Sequence, residues 1–280
     1  MGGSSFIARA TLLAIGLGVF ASGAATVVVI DHTPERIIVA TDSRAVSIFG
    51  GTGTPSINDS ECKVYALGSH AAFVIAGHAS YIRSEPNDAP TWYAQQEAHR
   101  LFQDSVNANG GWSDAMLEAL ALSWRNSTGL HLTRLRQSNL KQFRDAMGDN
   151  IRANAVFATA AGGGVRAVYV EATLTQGGEV LVIGPTPINC SGKPCVLGQN
   201  QVADEYLNLT SQRAKADVDR WEQENVGLPE IERARRRAVN LVEATIAHDP
   251  TRHVGGPVDV LELHAGQKVR WLRRKPWCPN

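Results

Sequence analysis

The sequence has no surplus charge of either sign. Its 27 lysines and arginines stand against 27 aspartates and glutamates, so no global field directs it to nucleic acid or an anionic membrane. Aromatic residues are scarce, at 6%, which argues against a stacking platform for carbohydrate or single strands. The 26 glycines follow no Gly-X-Y period and therefore belong to turns, not to collagen. The eight histidines form no HExxH, and no second ligand pair accompanies Cys190-x4-Cys195, so no metal site is legible. G-x-S-x-G is absent too, which removes the usual serine-hydrolase elbow. Gly50-Gly51-Thr52-Gly53 lacks a following Lys-Ser/Thr and a helix, so residues 47–60 read as a surface loop and not a phosphate cradle. What remains is a chain of 280 residues, 44% hydrophobic and 19% charged, with the balance of a globular protein able to bury a sizeable core.

Residues 1–25 stand apart. Arg9 precedes an apolar run over 10–20 and the small residues of 21–25, the layout of a secretory signal cut after Ala25. The competing reading is an uncleaved membrane anchor, because no charge falls between Arg9 and Asp31. Glycines within the run and the β-branched Val27–Ile30 weigh against one continuous helix. Export, to a periplasm or the cell exterior, suits the four cysteines: Cys190 and Cys195 can close a short loop, and Cys62 with Cys278 completes an even count. Unpaired cysteines are the alternative. The expected organisation is thus a signal over 1–25 and a single domain over 26–280.

Within that domain the period of the apolar residues changes several times. Two strand pairs come first, 27–30 with 36–41 around a loop at 31–35, and 63–67 with 71–76. Amphipathic helices follow over 91–106 and 114–124, then strands over 154–159, 165–175 and 179–183. Helices are expected at 199–209 and 229–248, the latter opening with Pro229 and acidic residues. A hairpin of 258–264 and 268–272 closes the chain. This pattern makes an α+β domain of packed layers. Arg233 and Arg235–Arg237 read as a solvated helix face, and the basic stretch 268–275 as a solvated strand and tail.

Register arguments bring several chemical groups together. Pairing Ile30 with Arg36 puts Thr26 opposite Ala40 and leaves Asp42 just beyond the hairpin end. Pairing Leu67 with Ala71 puts Lys63 opposite Ile75, with Gly77 just past it. Were the chain cut after Ala25, Thr26 would carry a free α-amine able to take the proton of its own hydroxyl. A Lys63 ammonium nearby would lower the pKa of both groups, Asp42 would hold that lysine, and the Gly77 amide could donate to an oxyanion.

Thr26-Val-Val-Val-Ile, Ile37-Ile-Val-Ala-Thr-Asp-Ser-Arg44, Lys63-Val-Tyr and Ala76-Gly-His-Ala79 together resemble a proteasome β-type subunit, of the N-terminal-nucleophile (Ntn) hydrolases. The resemblance is specific over 26–80 and continues more loosely in Val196-Leu-Gly-Gln199 and Gly255-Gly-Pro-Val. It implies a four-layer αββα sandwich and a threonine-type hydrolase of peptide or other amide bonds. Thr26 would be nucleophile and base, Asp42 and Lys63 the supporting ion pair, Gly77 the oxyanion donor and Arg44 a structural neighbour. It implies no cofactor and no metal, and allows self-assembly; a membrane enters only if the amino-terminal segment is uncleaved. The sequence departs from the family at Gln199, where a serine is usual, and at Arg252 and Gly255, near a supporting aspartate and second serine; Asp249 would need a register shift to serve. A non-catalytic binding or assembly protein and a small-substrate amidase are the alternatives.

Overall fold

A computed structural model of the chain describes residues 26–48, 55–77, 79–81, 92–147, 151–175, 177–190 and 192–278. The expected signal at 1–25, the glycines at 50, 51 and 53, His78 of the Ala-Gly-His-Ala motif, and Thr91 lie outside the described residues.

The chain is mixed α+β with two antiparallel five-stranded sheets. The first sheet has the order β12-β1-β2-β13-β14, built from Cys195–Gly198, Val27–Thr33, Arg36–Thr41, Asp259–His264 and Arg270–Arg273. The second has the order β11-β10-β9-β6-β5, built from Val180–Pro187, Arg166–Leu174, Ile151–Thr159, Ala71–Gly77 and Val64–Ala66. Two small ribbons, β3–β4 (Ala45–Ile48 and Pro55–Asn58) and β7–β8 (Ser80–Tyr81 and Trp92–Tyr93), complete the strands. The helices are α1 (Ala94–Asn109), α2 (Leu117–Met147), α3 (Gln201–Asn208), α4 (Gln212–Glu224) and α5 (Glu230–His248).

Strand alternation sorts the core. Val28, Ile30, Ile37 and Val39 of the first sheet share one cluster with Val64, Val74 and Val156 of the second, so these faces meet. On the reverse of the second sheet, Phe73, Ile75 and Phe157 pack against Phe102, Leu120 and Trp124 of α1 and α2. On the reverse of the first, Val27, Val29, Ile38 and Ala40 pack against Val202 and Tyr206 of α3 and Leu241 and Val242 of α5. Both faces of β1 and β2 are therefore covered, which is why Val27–Ile30 and Ile37–Ala40 are apolar without interruption.

Several expectations need correction. The first hairpin turns on Pro34-Glu35 alone, pairing Thr33 with Arg36 and Val28 with Thr41. Asp31-His32-Thr33 is thus strand and not loop, and Asp42 comes level with Val27; Thr26 does not face Ala40. Asp31 is polar within a strand because it is buried against Arg36 and Arg237. The second hairpin has the expected register, with Leu67 bonded to Ala71 and Lys63 level with Ile75. Residues 47–60 include most of the β3–β4 ribbon and are not all loop. The helix expected over 114–124 is a 3-10 turn at Asp114–Met116 running into α2, whose buried stripe continues through Thr128 and Leu132. Helix α4 was not anticipated; Ser211 caps it by accepting the Ala214 amide at 3.1 Å. Nor is the basic face of α5 simply solvated, since Arg235 grips the fully buried Glu262 and Arg237 grips Asp31. In the same way Lys275 is buried and not part of a solvated tail.

Both cysteine pairings are present. Cys190 is bonded to Cys195 and Cys62 to Cys278, with Cα separations of 5.3 and 5.7 Å. Among the described residues, no helix is long and apolar enough to cross a membrane.

Candidate functional site

Thr26 sits at the end of β1 where the two sheets come together. Its carbonyl accepts the Gln199 amide at 2.6 Å, which extends the β1–β12 ladder by one residue. The alternation that turns Val28 and Ile30 toward the second sheet carries Thr26 to the same face. Gly198, opposite Val27, has φ +84°, and a Cβ there would run into the Thr26 carbonyl oxygen. The same hypothetical Cβ lies 3.7 Å from the Ala76 side chain. The end of β12 therefore rests against β6 one residue before Gly77.

Gly77 ends β6 with φ +85°, passing over the Arg152 carbonyl so closely that no side chain fits. Its pairing with Ala153 and the register of β5 bring it near Lys63, whose carbonyl accepts the Ile75 amide at 2.9 Å.

Asp42 is the centre of the cluster. It is fully buried and its carboxylate gathers four donors. Oδ1 accepts the Val27 amide and the Lys63 ammonium, each at 3.0 Å. Oδ2 accepts the Arg44 and Gly255 amides, each at 3.1 Å. A carboxylate bonded to three amides and a cation is fixed in orientation. Because one oxygen bridges them, the lysine ammonium and the amide directly following Thr26 share an acceptor.

Lys63 is buried as well, and its ammonium also donates to the Arg44 carbonyl. Burial pulls its pKa below the ordinary lysine value, aided by the charge of Lys275; the charges of Asp42 and Glu61 and the bond to Asp42 oppose that fall. Arg44 turns outward, gripping Asp59 at 2.6 and 2.8 Å and the Arg252 carbonyl at 2.8 Å. A Cβ at Gly255 would meet the Arg44 guanidinium, which would have to shift.

The loop that delivers the Gly255 amide is organised by Asp249. Its carboxylate accepts the Thr251 hydroxyl and the amides of Thr251, His253 and Val254. Burial pushes the Asp249 pKa up, but those bonds outweigh it and hold the pKa below the usual carboxylate value.

The structure thus brings Thr26, Asp42, Lys63, Gly77 and Gln199 to one junction of the two sheets, with Arg44 on the rim. Gln199 contributes its backbone amide to Thr26. Sequence reasoning passed over Gly198, Ser43 and Lys275, and gave Gly255 no part in holding Asp42. A glycine at a strand end was the available sign for Gly198. A cleft of about 550 Å³, lined by Tyr206, Trp221 and Arg233 among others, lies between α3, α4 and α5 and shares no residue with this cluster. No protein-family model matches the chain, and no curated protein matches it.

Proposed function

We propose that the chain is an exported N-terminal-threonine hydrolase with an αββα sandwich of the proteasome β-type, cleaving peptide or other amide bonds through an acyl ester on Thr26. The observation carrying this reading is the Asp42 carboxylate, which joins the Lys63 ammonium to the amide immediately after Thr26 through one oxygen. The sandwich is supported by the way helices cover the outer face of each sheet while the inner faces meet.

In this reading, removal of residues 1–25 frees the Thr26 amine. The neutral amine takes the hydroxyl proton as Oγ attacks the substrate carbonyl carbon. Lys63 favours the neutral amine and the developing alkoxide by its positive charge, and Asp42 keeps that charge in place. The Gly77 amide donates to the tetrahedral oxyanion. Collapse breaks the C–N bond, the leaving amine takes the proton held by the Thr26 ammonium, and an ester remains on Oγ. Water then attacks the ester with the α-amine again as base, releasing the acid and restoring threonine.

A second reading, a non-catalytic binding or assembly protein of the same fold, is favoured by Asp249. This is the acid closest in sequence to the family's supporting aspartate, and its carboxylate is bound within its own turn. One experiment separates the two. Intact mass and amino-terminal sequencing of the exported protein should show a chain starting at Thr26, and a panel of fluorogenic amides should reveal turnover and a transient acyl adduct on Thr26. Thr26→Ala should lower turnover by about 10³-fold or more. Undiminished hydrolysis by that variant, or a mature chain starting elsewhere, would reject the nucleophile.

A further inference from the structure

Residues 274–278 are tied to the segments that carry the site. Beyond β14, the Arg274 side chain donates to the Cys278 carbonyl, closing a turn. The Lys275 amide donates to Asp259 Oδ1 at 2.9 Å, and its ammonium pairs with Asp259 Oδ2 at 2.5 Å. That ammonium also donates to Ser43 Oγ and to the Glu61 carbonyl, both at 2.7 Å. The Trp277 indole donates to the Ser60 carbonyl at 2.9 Å, and Cys278 is bonded to Cys62.

The placement of these contacts is specific. Ser43 follows Asp42 directly, while Glu61 and Cys62 precede Lys63. The two segments are already joined by the Glu61 amide on the Ser43 carbonyl at 3.0 Å, and Ser43 also bonds Gly255 and Pro257. One buried ammonium therefore bridges the segment carrying Asp42 and the segment carrying Lys63. Lys275 and Asp259 are a second buried Lys–Asp pair directly behind the first. Burying such a pair stabilises a fold little compared with apolar side chains of the same volume; what it supplies here is fixed geometry.

We propose that residues 274–278 are a clamp that positions the Asp42–Lys63 pair, with Lys275 as the positioning residue, and that the Cys62–Cys278 bond makes the clamp conditional on an oxidised state. The effect on turnover rests on the Thr26 reading; the effect on the two backbone segments does not. Reduction by a dithiol delivers two electrons and two protons to the bond, leaving Cys62 and Cys278 as thiols and the reductant as its own disulfide. The tail is then held by noncovalent contacts alone, and water gains access to the Lys275 ammonium. Loss of positioning acts on the transition state, so kcat falls while KM holds.

The test uses the mature protein carrying Cys190→Ser and Cys195→Ser, so that a single disulfide remains, compared before and after dithiothreitol with thiol counting. Hydrogen exchange by mass spectrometry should accelerate by about ten-fold or more over 41–44 and 60–64, with β9 and β10 unchanged. With a fluorogenic amide, kcat should fall about ten- to a hundred-fold at constant KM, and Lys275→Met should reproduce that fall in the oxidised protein. Cys278→Ser should be slow in either condition and indifferent to reductant. Unchanged exchange and unchanged kcat after verified reduction would overturn the clamp. Faster exchange with unchanged kcat would overturn its positioning role, leaving a mere staple. Faster exchange confined to 41–44 and 60–64, in a protein that hydrolyses nothing in either state, would uphold the clamp and reject the hydrolase reading.

Discussion

Replacing Asp42 by asparagine probes four donors at once. With the amide turned one way, its NH2 faces the Val27 amide and the Lys63 ammonium; turned the other way, it faces the Arg44 and Gly255 amides. No orientation satisfies all four, and in each the buried Lys63 loses its countercharge. Breaking a buried pair by removing one partner costs about 3–5 kcal/mol, and that is the loss expected for Asp42→Asn. Lys63→Met is a milder change, because the carboxylate keeps its three amide donors; about 1–3 kcal/mol is expected. Asp59→Asn, at the exposed pair with Arg44, should cost less than about 1 kcal/mol. Urea unfolding of the protein measures all three, the midpoint moving while the slope stays constant. An Asp42→Asn loss under about 1 kcal/mol, or one no larger than that of Lys63→Met, would refute the argument that the acid organises this site.

Gly198→Ala should destabilise by about 2–4 kcal/mol, adding the collision with the Thr26 carbonyl to the cost of a left-handed backbone. Gly192→Ala provides the control, since Gly192 has φ +77° but open space around it, and thermal unfolding should show only about 1–2 kcal/mol. The Asp249 pKa is lowered in the folded protein, so its contribution is complete above the unfolded value of 3.8 and is lost as pH falls through the lower folded value. Stability measured from pH 6 down to pH 2 should therefore fall less steeply at the acid end in Asp249→Asn than in the parent, and parallel curves would contradict that assignment.

How far the sequence revealed the protein depended on whether local rules or distant partners decided each element. The second hairpin was legible because strand residues lie on both sides of the turn at Gly68-Ser69-His70. In the first, Asp31 looked like a loop residue because its partner Arg237 arrives from far along the chain. The resulting three-residue slip still left Thr26 and Asp42 neighbours, since Asp42 lies level with Val27. Helix α2 beyond Trp124 was obscured by Thr128 and Gly129, yet Thr128 is buried and Gly129 lies beside Val180 and Val182 of β11. Lys275 could not be recognised as buried, because its partners Ser43 and Glu61 are more than two hundred residues away.

The strand orders also bear on the sequence of folding events. All of β5, β6, β9, β10 and β11 fall within residues 64–187, with α1 and α2 between them, so the second sheet can assemble from one continuous stretch. The other sheet is stitched from both ends of the chain: β1 waits for β12, and β2 waits for β13. Such distant pairings carry the largest loop-closure cost and form late. β1 and β2 can join early as a hairpin, but their outer neighbours β12 and β13 arrive only later. Thr26 acquires its Gln199 partner, and Asp42 its Gly255 amide, only after most of the polypeptide has been made.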